Sequence, residues 1–233
     1  METSLSTDDF VRELARRHRV LMLGGMAIIA HGLSRPTKDS DVWLEPFASA
    51  EEWSRKLNAV VTSFKGTRLW SLPQRRVLMP DELMFDVDQF GVVRIEGLTL
   101  PLDVFRKPNE LETDDFERAW KDARALKEGA HLPSAIDLYV TKANTGREQD
   151  WNDQLFLESL VKKQYQERLP VCEPLEAQLL LGRFLDPECL QFALENPNAE
   201  VWELALKHLH QFESEGDPYS RDILVEWRKK NPA

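Results

Sequence analysis

The stretch Leu21-Met22-Leu23-Gly24-Gly25-Met26-Ala27-Ile28-Ile29-Ala30-His31-Gly32-Leu33-Ser34-Arg35-Pro36-Thr37-Lys38-Asp39-Ser40-Asp41-Val42-Trp43-Leu44 decides how this chain folds. It reads as an apolar strand over 20–23, a glycine turn, a short helix over 26–33, and a second strand over 41–45 that opens on Asp-x-Asp. Gly24 and Gly25 have no Cβ, so the backbone can bend sharply and a ligand can come close to it. The helix behind them points its first N–H groups and the positive end of its dipole at that ligand, which suits phosphate. Asp39 and Asp41, at i and i+2 of a strand start, share one face and repel each other unless a cation lies between them. Hard cations such as Mg²⁺ take oxygen ligands of this kind and bridge to substrate phosphates. Either motif alone also describes a ligand-free turn or a solvated loop. One β-α-β unit that brings both together suits a nucleoside triphosphate held through its phosphates and through divalent metal ions.

A two-metal site needs a third carboxylate. Residues 92–105 read as a hairpin that turns near Gly97. Leu100, Leu102 and Val104 alternate onto one face, and Asp103 falls on the other, inside an apolar strand where a charge needs a partner or a metal. Asp86 and Asp88 are the rivals, but they run into a polar turn and read as solvated, so Asp103 is preferred.

Working outward, Ser6 or Thr7 can cap a helix to about residue 18, with Phe10, Val11, Leu14 and Ala15 on one stripe. Ser49 with Glu52 is a capping-box pattern that opens a helix to about residue 64. Residues 65–82 are turn-rich with one weak strand near Val77, and further strands are expected over 83–87, 92–96 and 100–105. From Thr113 the pattern turns helical: Phe116, Ala119, Trp120, Ala123 and Leu126 share a helical spacing. Helices are then expected over 134–144, 150–166, 174–185, 187–195, 198–212 and 218–229. The fold class expected is α+β: a small mixed β-sheet with flanking helices in 1–110, then a helical region in 111–233 with a sub-boundary near 167–174.

The 233 residues carry a formal charge of −10, which works against strong nucleic-acid binding, since that affinity comes largely from Lys and Arg at phosphates. Arg12, Arg16, Arg17, His18 and Arg19 form a local basic cluster, read as a solvated helix face. Two cysteines, Cys172 and Cys189, are too few for a disulfide scaffold and read as reduced, semi-buried thiols. The first residues lack the basic head and apolar core of a signal peptide, and the longest apolar run is too short to span a bilayer, so a cytoplasmic protein without a membrane partner is expected. No His or Cys cluster has zinc spacing, and His31 reads as a packed helix residue.

The Gly24-Gly25 turn, its spacer and Asp39-Ser40-Asp41 resemble the signature of the polymerase-β-like nucleotidyltransferase superfamily, with a spacer at the long end for that family. Within it, the segment from Gly24 to Asp41 is most similar to the abortive-infection (AbiEii-type) toxin group. Residues 134–153, with Lys142, Arg147, Asp150 and Asp153, resemble that group's second motif; Thr145 and Trp151 depart from the usual pattern. The resemblance spans about residues 8–160. It implies a metal-dependent transfer of a nucleoside monophosphate from an NTP to an acceptor hydroxyl with release of pyrophosphate, using Mg²⁺ or Mn²⁺. Carried over, Gly24 and Gly25 hold the triphosphate, Asp39 and Asp41 bind metal, and Asp103 binds metal and helps activate the hydroxyl. Lys142 reads equally as a phosphate contact or as an ordinary lysine on a solvated helix face. Arg147, Asp150 and Asp153 read as a structural ion-pair network, and Arg35 and Thr37 as groups that orient the Asp39 loop. Across the superfamily the acceptor is a tRNA end, a small molecule or a protein, and the C-terminal helices are expected to shape its pocket. The competing expectation is an inactive nucleotide-binding protein of the same fold, or a toxin–antitoxin protein that acts by docking a protein partner.

Overall fold

The computed structural model describes residues 5–127, 129–143 and 145–231. The chain is a mixed α+β protein that divides into two compact units, Met1–Leu157 and Glu158–Ala233.

The first unit begins with α1 (Thr7–Arg17), capped by Ser6 and carrying acids in its first turn and arginines in its last, as the helix dipole favours. Then come β1 (Val20–Leu23), α2 (Gly24–His31), β2 (Ser40–Leu44) and α3 (Ala50–Val61), whose cap Ser49 accepts from the Glu52 N–H. β3 (Arg68–Ser71), β4 (Arg76–Val77), α4 (Leu83–Phe90), β5 (Val92–Glu96) and β6 (Leu102–Phe105) follow. α5 (Asp115–Asp122), β7 (Arg124–Ala125), β8 (His131–Leu132) and α6 (Ala135–Thr141) complete the run up to α7 (Glu148–Arg168), which crosses the division.

The eight strands form one mixed sheet in the order β4-β3-β5-β6-β2-β1-β8-β7. β1 and β2 are antiparallel, with Leu23 opposite Asp41. β2 runs parallel to β6, which sets Asp41 beside Asp103, and β6 runs antiparallel to β5, which sets Asp103 beside Arg94. Side chains alternate across the sheet. Val42, Leu44, Leu102 and Val104 go into a core with Phe10, Leu14, Trp53 and Leu57, while Asp41 and Asp103 emerge on the other face. Each such fully buried apolar side chain is worth about 1.5–3 kcal/mol.

Three expectations are corrected. Residues 83–87 are helical, because Leu83 and Val87 stand at i and i+4 and are both buried against the core. Asp86 is not solvated: it is buried on α4 and accepts a 2.7 Å bond from the Ser71 hydroxyl. Ala123 and Leu126 do not continue α5, because the chain turns at Ala123 and forms the β7–β8 hairpin, adding strands to the sheet beyond residue 110. The basic cluster is a solvated helix face only in part: Arg12 pairs with Asp9 and Arg16 and Arg17 with Glu13, but His18 is half-buried against Phe47, and Arg19, beyond the helix, pairs with Glu45 and Glu117.

The second unit holds the rest of α7 with α8 (Pro174–Arg183), α9 (Pro187–Ala193), α10 (Ala199–Ser214) and α11 (Pro218–Lys230), close to the expected helices. Proline starts three of them, where its missing N–H costs nothing. Buried Asn196 donates to the Leu169 and Cys172 carbonyls at 2.8 and 2.9 Å, and the Tyr165 hydroxyl donates to the Leu180 carbonyl at 2.6 Å. Lys162 is held by Glu158, Asp186 and Glu188. Cys172 and Cys189 are free and buried. Among the described residues, no helix is long and apolar enough to cross a membrane.

Candidate functional site

Gly24 begins α2 directly from β1, with φ at +54°. That left-handed value favours glycine. Space requires it as well: a Cβ here would lie 1.7 Å from Asp41 Oδ2. At Gly25 a Cβ would meet Thr37 Oγ1 at 2.6 Å and Arg35 Nη2 at 3.0 Å. The glycine pair is therefore pressed against the Asp41 side chain on one flank and the Arg35–Thr37 loop on the other. No side chain caps α2. Thr37 fixes its own loop by donating to the Asp39 carbonyl at 2.9 Å.

Asp39 and Asp41 flank the start of β2, and β6 delivers Asp103 into register beside Asp41. All three line one cleft of about 820 Å³, together with Gly25, Lys142 and Arg94. Asp103 is nearly buried and is gripped by Arg94 through two parallel bonds, Nε–Oδ1 at 2.7 Å and Nη2–Oδ2 at 2.8 Å. The same guanidinium lies 3.6 Å from Asp39 Oδ2. Among the described residues, no cation stands within ion-pair distance of Asp41. Its carboxyl is pushed up to about 7, by burial first and then by the charges of Asp103 and Asp39, against a weaker pull from Lys142 and Arg94. Burial also lifts Asp103 above its ordinary value, although Arg94 pulls it down. An ionised, partly desolvated group next to two like charges is destabilised until a cation arrives. Oxygen-only donors of this sort suit Mg²⁺ or Mn²⁺. Among the described residues, no three such side chains already stand close enough together to hold a metal ion, and at Asp103 a guanidinium occupies both oxygens.

A second cluster lines the same cleft. Lys142, the residue at the end of α6, is buried and bonds Asp150 Oδ1 at 2.7 Å and Asp153 Oδ2 at 3.2 Å. Arg35 reaches Asp153 at 2.9 Å, and Arg147 reaches Asp150 at 2.6 Å. Of the two readings of Lys142, a lysine on a solvated helix face does not hold, because the amine is buried and paired. Burial pushes the Asp150 carboxyl up, but bonds from Lys142, Thr145 and Arg147 carry it below its ordinary value. Among the described residues, buried Asp153 Oδ1 and Arg35 Nε have no hydrogen-bond partner. His31 packs as expected, its ring bonded to the Pro133 carbonyl at 3.0 Å.

Sequence reasoning named the three carboxylates but not Arg94. The signal for it was present: once residues 92–105 form a hairpin, antiparallel register puts position 94 opposite 103. Asp86, the rival third carboxylate, bonds Ser71 and does not line the cleft.

No protein-family model matches the chain, and comparison with curated proteins returns no match.

Proposed function

We propose that this chain is a Mg²⁺- or Mn²⁺-dependent nucleotidyltransferase that moves a nucleoside monophosphate from an NTP to an acceptor hydroxyl and releases pyrophosphate. The observation that carries this reading is that Asp39 and Asp41 at the start of β2 and Asp103 on the neighbouring β6 line one cleft beside a glycine turn packed onto Asp41. In this reading the Gly24-Gly25 turn and the N-terminus of α2 receive the triphosphate. Asp39 and Asp41 would hold the metal, and Asp103 would help bind it and help activate the attacking hydroxyl. Bound metal supplies charge neutralisation at the phosphates and orients the reacting oxygens. The residues themselves contribute position: Thr37 fixes the Asp39 backbone, and the β2–β6 register fixes Asp41 against Asp103. Lys142 lines the cleft while paired with Asp150 and Asp153, and its charge also acts weakly on Asp41.

Calorimetry with ATP, GTP, CTP and UTP, with and without Mg²⁺, tests the reading together with pyrophosphate release across tRNA, small-molecule and protein acceptors. Mg²⁺-dependent binding of an NTP that is lost in both Asp39→Asn and Asp41→Asn is expected, with pyrophosphate release impaired in Asp103→Asn. Unchanged binding in the first two variants rejects the metal assignment. A second reading draws on the Arg94 grip on Asp103: a protein of this fold that binds nucleotide, or docks a protein partner, and turns nothing over. NTP binding with no pyrophosphate release from any acceptor assigns the chain to that reading.

A further inference from the structure

Three carboxylates and the Arg94 guanidinium line the same cleft, and that guanidinium is spent unevenly. Arg94 gives a two-pronged grip to Asp103, a 3.6 Å approach to Asp39 and no ion pair to Asp41. A planar fork on a carboxylate is among the stronger polar contacts available to side chains, and it covers the oxygens that a metal would need. As a purely architectural cross-strand pair the contact would be ordinary. Its place is not ordinary, because the clamped carboxylate shares a face and a cleft with two others that lack an equal partner.

We propose that Arg94 is a built-in competitor for the divalent ion: it holds Asp103 while the metal is absent and has to release at least one of its oxygens before Asp103 can ligate. The inference rests on the reading of Asp39, Asp41 and Asp103 as a cation site. It assigns Arg94 a positioning and gating role. The Asp103 charge left behind when metal departs is then neutralised by an arm of the protein itself. The released guanidinium stays on the cleft wall, where its fork suits an anionic group.

Mn²⁺ binding measured by electron paramagnetic resonance on the full chain tests this without any turnover. Arg94→Gln should bind Mn²⁺ about tenfold more tightly than wild type, as expected for a competing charge-assisted contact removed. Adding Asp103→Asn to that variant should abolish the gain. Wild-type binding with Arg94→Gln equal or weaker overturns this inference and leaves the metal reading standing. No Mn²⁺ binding by wild type or by Arg94→Gln sinks both. A measurement on the unmutated chain covers the case in which Arg94→Gln does not fold: the Arg94 Nε–H resonance should shift as Mg²⁺ saturates the Asp41 backbone amide signal. An Arg94 signal that stays fixed through that saturation overturns the proposal.

Discussion

Two charged clusters line the same cleft and are built on opposite principles. At the starts of β2 and β6, among the described residues, Asp39 and Asp103 are paired by Arg94 alone and Asp41 has no ion pair. In the same cleft, Asp150 and Asp153 are served by Lys142, Arg35 and Arg147. The first cluster has carboxylates in excess, and the second has cations in excess. A buried pair with its charges matched is structure: removing one partner strands the other. A cluster with unmatched carboxylates is costly as it stands and is relieved by something from outside. The comparison separates a scaffold from a receptor by charge balance and by burial: Asp150, Asp153 and Lys142 are buried, whereas Asp39 and Asp41 are only half-buried.

The largest expected effect lies in the scaffold. Lys142→Met should destabilise the protein by about 3 kcal/mol, read as a fall in melting temperature, because Asp150 and Asp153 lose their shared buried amine and, among the described residues, keep only Arg147 and Arg35 as ion-pair partners. A variant as stable as wild type would erase the distinction between the clusters. Next in size is Gly24→Ala. It forces a side chain into a left-handed backbone and into the space of Asp41, at a cost of roughly 1–3 kcal/mol, and should abolish Mg²⁺-dependent NTP binding in protein that still folds. Gly25→Ala should do less, since it meets the tips of the Thr37 and Arg35 side chains.

Asp41→Asn should move stability the other way. Asp41 is raised in the folded protein to about 7, so the folded state holds its proton more tightly than the unfolded chain does. Stability of the metal-free protein should therefore fall as pH climbs from about 4 through about 7. Asp41→Asn removes that slope and should be more stable at pH 8 by on the order of 1–2 kcal/mol. Denaturant midpoints across pH, taken in a chelator, read this directly; a parallel slope in both proteins breaks the claim of an uncompensated carboxylate. The smallest effect belongs to Asp86→Asn, which keeps a partner for the Ser71 hydroxyl. It should cost about 1 kcal/mol or less and leave Mg²⁺-dependent binding intact. Loss of binding there would transfer the third-carboxylate role from Asp103 to Asp86.

Much of this arrangement could be read from local pattern. Glycine pairs and strand-opening aspartates leave marks at fixed spacing, and an aspartate inside an apolar alternation announced Asp103. The C-terminal helices lie close to the ranges expected from the sequence. Misreadings arose where local signals compete. Leu83-Met84-Phe85-Asp86-Val87 is apolar enough for either a strand or a helix, and only burial of Leu83 and Val87 on one side of α4 decides. Partners were the harder part: nothing near Asp86 in sequence marks Ser71 as its donor, and Lys142 shows its burial only once α6 and α7 are folded. The parallel β2–β6 and β1–β8 pairings join segments far apart in sequence and leave no local trace.

The distance between those segments also sets a clock. Asp103 leaves the ribosome roughly 60 positions after Asp41, which at ~5–20 residues per second is a delay of about 3–12 s. Throughout that interval the growing polypeptide has its glycine bend and first acidic pair but not their neighbouring strand, and Arg94 emerges before the aspartate it will clasp. A half-made molecule is thus without the assembled carboxylate trio, and one halted before β6 never acquires it.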